Sequence, residues 1–251
     1  MRTDDRQRLS LPHLVSSEWL KLRSLRSFWL GAAGVVVLTA AGALLPAIFL
    51  TADNPPSAQE APQVVFQFGS MGGQIALLVI AVLAMTSEYS RGAIRLTFAA
   101  APARLRVIAA KAVVVTAVSA SLAVLSLPVA YVVCVPALRA LGLHPAARDV
   151  LGGFAAHVGY LILVALFAFA VGLAVRSTAA GVGLGLGVVF VLPSVLGLLG
   201  DGLRRPIEEL GFTHAAHGLF TGPLLADALT VAVWLAVPFV LGGLALVRQD
   251  A

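Results

Sequence analysis

Charged residues are scarce in this chain of 251 residues: they make up 12 % of it, against 59 % apolar residues. Soluble domains usually carry about a quarter charged residues. A domain of this size still leaves about a quarter of the surface of its extended chain in water, so it cannot hide that many apolar side chains. The composition therefore excludes an ordinary soluble enzyme, and we expect lipid to cover the remaining apolar surface.

Cysteine and lysine are also rare. Cys134 is the only cysteine, which excludes an intramolecular disulfide. Lys21 and Lys111 are the only lysines, and neither follows Gly or precedes Ser or Thr. A P-loop needs a lysine in that setting, because backbone N–H groups and the ammonium together cradle the phosphates. We therefore expect no catalytic centre here, no directly bound cofactor, and any ATP hydrolysis on another polypeptide.

Six long apolar runs contain none of the 17 Lys and Arg residues. A helix needs about 20 apolar residues to cross the hydrocarbon core, and an Arg at its centre costs about 3 kcal/mol. The sequence thus predicts an all-α polytopic membrane protein with six transmembrane helices. The predicted spans are Phe28–Leu50, Phe68–Ser87, Ala112–Leu138, Phe154–Val175, Ala179–Leu199 and Ala226–Val247.

The basic residues between these runs are distributed unevenly. Alternating the sides places 13 of them on one face and 4 on the other. Cytoplasmic loops are rich in Lys and Arg, so both termini are predicted to be cytoplasmic. The same loops account for the net charge of +5 without nucleic acid as a partner. Residues 1–27 then form a cytoplasmic arm with an interfacial helix, and residues 28–251 form the transmembrane domain.

The stretch Leu11–Trp29 has apolar residues at steps of three and four, which predicts an amphipathic helix lying on the inner leaflet. Lys21, Arg23 and Arg26 flank its apolar side. Glu18 projects near that side. Either a salt bridge to Lys21 or contact with another protein would explain its position.

A second cytoplasmic segment, Met85–Lys111, joins spans two and three. Ser90 can cap a short helix, and Pro102 biases the residue before it away from helical geometry. A new helix is predicted to start at Ala103 and to continue into span three. The segment is either a basic loop that follows the positive-inside rule or a lever that receives force from a soluble partner.

The membrane interior offers few polar groups. Gln74 is its most polar side chain besides His157, for which we predict an interhelical hydrogen bond. Ion-coupled pumps usually place a titratable group within the bilayer, so the energy source is expected outside it. Gln74 and Phe190 are the candidate residues of a path for an apolar or amphipathic cargo.

Two other patterns resemble ligand-binding motifs, but we expect neither to bind a ligand. Glycines four residues apart in Gly181–Gly187, such as Gly183 and Gly187, predict close helix packing rather than a dinucleotide site. His214 and His217 lack a third ligand nearby, so we expect a polar loop and no metal site.

Three cytoplasmic motifs together resemble the ABC-2 type permeases, the membrane subunits of a class of ATP-binding cassette exporters. They are Glu18-Trp19-x-Lys21-Leu22-Arg23-Ser24-x-Arg26-Ser27, then Thr86-Ser87-Glu88-Tyr89-Ser90-x-Gly92-x-Ile94-Arg95 followed by Pro102-x-Arg104 and Lys111, and finally Ala174–Ala180. Their order and their spacing relative to the six spans carry the resemblance.

The resemblance implies a permease that dimerises with a second copy or a close paralogue and binds two ATP-binding cassette ATPase subunits, which hold ATP and Mg²⁺. It implies a multi-pass protein of the bacterial cytoplasmic membrane that exports a hydrophobic or amphipathic substrate. Glu88–Ala100 would be the coupling helix, Leu14–Arg26 the connecting helix, and Asp201–Pro223 an external re-entrant region. The implied contacts with the nucleotide-binding subunit are Glu88, Tyr89, Arg91, Gly92, Arg95, Arg104, Glu18, Lys21 and Arg23.

Two other functions remain open at this point. A secondary transporter or flippase could act alone, although it would need a titratable group inside the membrane. A membrane anchor or sensor could use the six spans only to hold its cytoplasmic helices against a partner.

Overall fold

The computed structural model describes residues 11–49, 55–90, 104–198, 205, 207–222 and 224–247, and these contain helices and no strand. The helices are α1 (Leu11–Arg23), α2 (Arg26–Phe49), α3 (Ala61–Ser90), α4 (Arg104–Ala140), α5 (Ala147–Val175), α6 (Thr178–Leu186), a π-helix (Gly187–Val191), α7 (Leu192–Leu196), α8 (Phe212–Thr221) and α9 (Leu224–Val247).

Within these residues, six helical segments are long and apolar enough to cross a membrane, as the six apolar runs predict. Five of them are α2, α3, α4, α5 and α9. The sixth, Thr178–Leu196, combines α6, the π-helix and α7. The chain therefore has the fold of a multi-pass membrane protein.

Each of the six spanning segments begins before the apolar run that predicts it. α3 begins at Ala61 rather than near Phe68, and α4 begins at Arg104, eight residues before the predicted span and one after Ala103. Polar and charged residues mark where a helix leaves the hydrocarbon, but they do not end it. The predicted spans are consequently shorter than α3, α4 and α5, whereas the helical segment Thr178–Leu196 ends three residues before the predicted Leu199.

The amphipathic stretch at the N-terminus is divided between two helices. α1 ends at Arg23, where the Ser24 hydroxyl donates to the carbonyl of Lys21 at 2.7 Å. α2 begins at Arg26, so Trp29 belongs to the first span and not to the interfacial helix. α1 therefore meets the bundle at a break in the chain.

α3 and α5 form the centre of the bundle. Leu78 and Val82 of α3 and Leu161 and Phe169 of α5 are completely or almost completely buried. By contrast, α9 exposes a row of large apolar side chains, and lipid would cover them. These exposed residues are Leu224, Leu225, Leu229, Val233, Val237, Val240, Leu241 and Leu244.

Glycines bring α2 and α3 into backbone contact. A methyl group added at Gly72 would overlap the carbonyl oxygen of Leu38, and one added at Gly42 would overlap that of Phe68. Small residues allow this approach between membrane helices because no side chain separates the backbones.

In the Gly181–Gly187 stretch, the glycines that pack closely on another helix are not Gly183 and Gly187, the pair named from the sequence. A methyl group at Gly181 would lie 2.9 Å from Val82, and one at Gly185 would lie 3.0 Å from Leu78. One at Gly183 or Gly187 would meet no described atom within 4 Å. The face of this repeat that packs on α3 therefore contains Gly181 and Gly185, and not Gly183 and Gly187.

Candidate functional site

The residues singled out by the sequence fall into two groups at opposite ends of the bundle. The α1 end contains α1, the ends of α3 and α5, and the starts of α4 and α6. The α8 end contains α8, the starts of α3, α5 and α9, and the end of α7.

A buried ion pair joins α1 to α4 at the α1 end. The Glu18 carboxylate accepts from the Lys111 ammonium at 2.5 Å and from Lys21 at 2.7 Å. Glu18 and Lys111 are each about 95 % buried, whereas the Lys21 side chain is 45 % exposed. Removing two charges from water is costly, and the attraction between the two charges offsets that cost.

Apolar contacts hold α1 in the same place. Leu14 of α1 packs with Val107 and Ala110 in the first turns of α4. On the other side, the Trp29 indole donates from Nε1 to the carbonyl of Arg23 at 2.9 Å. α1 is thus fixed both to α4 and to the start of α2.

A second set of contacts holds the last turn of α3. The Thr86 and Thr178 hydroxyls lie 2.8 Å apart, and the Arg176 guanidinium carbon lies 5.6 Å from the centre of the Tyr89 ring. Arg176 reaches this position from the turn between α5 and α6, where its φ of 58° is left-handed and its N–H donates to Gly172. That turn therefore supports the end of α3.

The structure places the predicted interface residues unevenly. Glu18 and Lys21 come together with Lys111, Tyr89 lies against Arg176, and the side chain of Arg23 is exposed. Glu88 and Arg104 lie in helices, but their side chains are outside the described part of the chain. Also outside it are Arg91, Gly92, Arg95 and most of the predicted coupling helix.

A cavity of about 530 Å³ opens at the α8 end, between α3, α5, the π-helix, α7 and α8. Gln74 and Phe190, the two candidate path residues, both line it. The π-helix supplies Val189 and Phe190 to its wall. Such wide turns within α-helices occur frequently at functional sites.

Polar side chains in the wall of this cavity are held by specific contacts. The Tyr160 hydroxyl donates to Gln74 Oε1 at 2.7 Å, and both residues are buried. The His217 ring stacks on the Tyr160 ring with 3.8 Å between centroids. Burial lowers the pKa of the His217 imidazole, because the charged form loses its hydration.

The backbone contacts of the buried His157 and the partly buried His217 determine the tautomers of both rings. His217 Nδ1 lies 2.9 Å from the carbonyl of Thr213, and His157 Nδ1 lies 2.8 Å from that of Gly153. A carbonyl only accepts, so each neutral ring carries its proton on Nδ1 and leaves a lone pair on Nε2. Both Nε2 atoms are buried without a hydrogen-bond partner.

These histidines differ from two expectations. The bond of His157 lies within α5, so the prediction of an interhelical hydrogen bond is wrong. His217 lies on a packed helix rather than in a polar loop. The stack of His217 on Tyr160 had no signal in the sequence, because these residues lie on different helices.

α8 itself occupies the predicted re-entrant region. Its buried face consists of Phe212, Ala215 and Ala216, and the Phe212 ring stacks on Phe167 at 4.6 Å. The carboxylate of Asp227, in the first turn of α9, lies against Gly218, and its Oδ2 is buried without a hydrogen-bond partner. Among the described residues, no three of His, Cys, Asp and Glu are arranged to hold a metal ion.

Comparison with known proteins adds no family assignment. A scan of protein-family models finds no match to this chain, and a search of curated protein sequences finds none either.

Proposed function

We propose that this chain is the permease subunit of an ABC-2 type exporter in a bacterial cytoplasmic membrane. It moves a hydrophobic or amphipathic substrate outward, and a separate ATP-binding cassette subunit hydrolyses the ATP. Two such ATPase subunits bind a dimer of this chain, or a dimer with a close paralogue. In this arrangement both termini and the α1 end are cytoplasmic, and the α8 end faces outward. The cytoplasmic motifs and the distribution of basic residues support the proposal.

The observation that carries the proposal is the ion pair between Glu18 and Lys111. Residues 91–103, which would contact the ATPase subunit, are followed directly by α4. Because α1 is tied to α4 by a buried ion pair and by apolar contacts, a push on this segment would move α1 and α4 together. A helix that served only as a lipid anchor would not need a buried charge to hold it to a span.

The contacts at the end of α3 suggest how such a push would reach the cavity. α3 precedes residues 91–103, and its last turn contacts Arg176 and Thr178. Thr178 begins α6, which continues into the π-helix on the cavity wall. The wide π-turn is a point at which this span can bend. Movement of α3 would therefore change the shape of the cavity at the other end of the bundle.

Charge reversal in the predicted coupling helix tests the proposal. The permease is purified with its co-transcribed cassette protein, and vanadate-sensitive ATPase activity is measured in proteoliposomes. Arg91→Glu with Arg95→Glu should prevent co-purification or reduce permease-stimulated turnover by about tenfold or more, as expected when charged contacts are lost from an interface.

A matched control makes the same change of charge at the other end. Arg139 in the last turn of α4 and Arg148 at the start of α5 are both exposed. Arg139→Glu with Arg148→Glu should leave both assembly and turnover near the wild-type values. If the Arg91 and Arg95 double variant behaves like this control, the proposed coupling site is wrong.

A secondary transporter that works alone is the second candidate, and the buried His157 and Asp227 favour it. Buried titratable groups in membrane helices often mark proton or ion sites. Proteoliposomes that contain only this chain distinguish the two functions. Uptake driven by a pH gradient without ATP would support the secondary transporter, and a strict requirement for the cassette protein and ATP would support the exporter.

A further inference from the structure

A groove at the α1 end opens between α1, α2 and α4 and has a volume of about 450 Å³. α1 contributes Trp19 to it, the start of α2 contributes Trp29, and α4 contributes residues between Val113 and Leu122. Among the described residues that line the groove, none is charged. The hydroxyl of Ser121 donates to the carbonyl of Ala117 at 2.8 Å, so its hydrogen is bound within α4. The groove therefore suits an apolar occupant.

The groove extends along α4 for about the depth of one leaflet. The step from Val113 to Leu122 corresponds to about 14 Å along the helix axis, and half of the hydrocarbon core is about 15 Å thick. Val113 follows Lys111 by two residues, and Lys111 is bound to Glu18 of α1. The groove thus begins beside α1, the helix that we predict to lie at the membrane surface, and continues into the hydrocarbon.

The width of the groove limits what can occupy it. Its volume divided by its length gives a mean cross-section of about 32 Å². A helix with its side chains is at least about 10 Å across, which is a cross-section of about 80 Å². The groove is therefore too narrow for a helix of a second copy or of another protein, but it admits an extended alkyl chain. Trp29 and Val113 are exposed on two spanning segments, so surrounding lipid can supply that chain.

Two arginines lie where α1 ends and α2 begins. Arg23 follows Trp19 by four residues on α1, and Arg26 precedes Trp29 by three on α2. Residues at these spacings are neighbours on one side of a helix. Both arginine side chains are exposed. The Trp29 indole donates to the carbonyl of Arg23, which holds the two helix ends together. Both arginines therefore lie at the same end of the groove as the two tryptophans.

This end of the groove has the chemistry of a headgroup site. Tryptophan is enriched where membrane helices meet the headgroups. Guanidinium groups bind phosphate oxygens through charge-assisted hydrogen bonds, and basic residues near the surface attract anionic lipids. The apolar groove and the two arginines thus match the two parts of an anionic phospholipid, its acyl chain and its phosphate.

We propose that this groove holds one acyl chain of an anionic phospholipid from the leaflet that contains α1, with the phosphate bound by Arg23 and Arg26. The lipid contacts α1, α2 and α4 together and supports α1 against the two spans. This lipid site goes beyond the proposed function, because binding needs neither a transported substrate nor an ATPase subunit.

Tryptophan fluorescence reports on this site. The chain has three tryptophans, and Trp234→Phe leaves only Trp19 and Trp29, which both line the groove. The full chain with this change is reconstituted into phosphatidylcholine vesicles that contain increasing fractions of phosphatidylglycerol or phosphatidylcholine with brominated acyl chains. Bromine quenches tryptophan fluorescence on contact. We expect brominated phosphatidylglycerol to bind about tenfold more tightly than brominated phosphatidylcholine, because the two arginines attract its net negative charge.

Charge variants in the same Trp234→Phe background locate the headgroup. Arg23→Gln with Arg26→Gln should give the two brominated lipids equal association constants. Arg139→Gln with Arg148→Gln, which removes two exposed charges at the other end of the bundle, should keep the full preference.

Groove variants locate the acyl chain. Ala117 is exposed on α4 and lines the groove, so the ring of Ala117→Phe would occupy the space of the chain and should remove most of the preference. Ala33 is exposed on α2 and is not among the lining residues. Ala33→Phe is therefore the matched control and should bind both lipids as the Trp234→Phe background does.

Equal association constants for the two lipids in the Trp234→Phe protein would overturn the inference, and so would quenching by neither lipid, which would mean that another occupant fills the groove. A preference that survives in the folded Arg23 and Arg26 double variant would exclude these arginines as the headgroup site. Ala117→Phe that binds like Ala33→Phe would place the lipid outside the groove. Either result overturns the proposed site.

Discussion

Glu18 on α1 and Lys111 on α4 lie 93 positions apart in the chain, and their side chains meet in an ion pair buried from solvent. Lys21, one turn further along α1, completes the charge cluster from the exposed side. Each partner explains the other: Glu18 is tolerated on an apolar helix face because Lys111 opposes it, and Lys111 is tolerated in the first turns of a span for the same reason.

Glu18→Gln should destabilise the protein strongly, because it leaves the Lys111 ammonium buried without the charge of Glu18. Breaking a buried pair by removing one partner typically costs about 3–5 kcal/mol. The free energy of unfolding, measured by denaturant titration in mixed micelles, should fall by about that amount.

Two companion variants identify the cause. Glu18→Leu combined with Lys111→Met removes both charges, and it should recover most of the lost stability because apolar residues of similar size can replace a buried pair. Lys21→Met removes the exposed partner and should cost about 1 kcal/mol or less. Equal losses of stability for Lys21→Met and Glu18→Gln would show that the buried Glu18–Lys111 pair contributes no more to stability than the exposed Glu18–Lys21 pair.

The six membrane helices could be predicted because lipid imposes a strict local rule. Charge is excluded from about 20 consecutive residues, and that requirement is visible in a single stretch of sequence. Lys111 lies at the margin of this rule. It lies one residue before the predicted third span, yet it is buried within α4, because the carboxylate that neutralises it comes from α1.

The cavity could be predicted from the sequence only in part. Gln74 and Phe190 are the candidate path residues predicted from the sequence, and both line the cavity. The roles of Tyr160 and His217 depend on contacts between α3, α5 and α8, which no local spacing encodes. The residues of the π-helix, Gly187–Val191, are apolar like the rest of the span, so hydropathy does not distinguish them.

Gly72→Ala should weaken the contact between α2 and α3. The added methyl group would overlap the carbonyl oxygen of Leu38, and backbone atoms cannot rotate away as a side chain does. The two helices must separate, and overpacking of this kind costs about 1–3 kcal/mol. The midpoint of thermal unfolding in nanodiscs should fall accordingly.

Gly183→Ala is the matched control for that change. The same methyl group at this position meets no described atom within 4 Å. Alanine also forms helix more readily than glycine, by up to about 1 kcal/mol. The control should therefore be neutral or slightly stabilising in the protomer, and a loss of stability as large as that of Gly72→Ala would contradict the packing described for α2 and α3.

Stability should depend on pH through His217. Burial lowers the pKa of its imidazole in the folded protein, so the unfolded chain, whose histidine has a pKa of about 6.5, binds a proton more readily. Stability is consequently fully present above that pH, and it declines as the pH falls through 6.5 toward the lower pKa of the folded state. The midpoint of thermal unfolding should fall on acidification below about pH 6.5.

His217→Gln isolates this contribution, since glutamine does not titrate. The variant should lose less stability than the wild type on acidification below about pH 6.5, whereas the difference between the two proteins should be constant above about pH 8. If both proteins lose stability equally in the acidic range, protonation of His217 does not contribute to acid destabilisation.

Tyr160→Phe should affect both the stability of the protein and the shape of the cavity. It removes the hydroxyl that donates to Gln74 Oε1 and leaves a buried amide oxygen without that partner. An unsatisfied buried polar group costs about 1–3 kcal/mol, and the free energy of unfolding in mixed micelles should fall by that amount. Combining Tyr160→Phe with Gln74→Leu removes both partners, so the double variant should be more stable than the single one. Additive losses from the two substitutions would mean that the hydrogen bond does not couple α3 to α5.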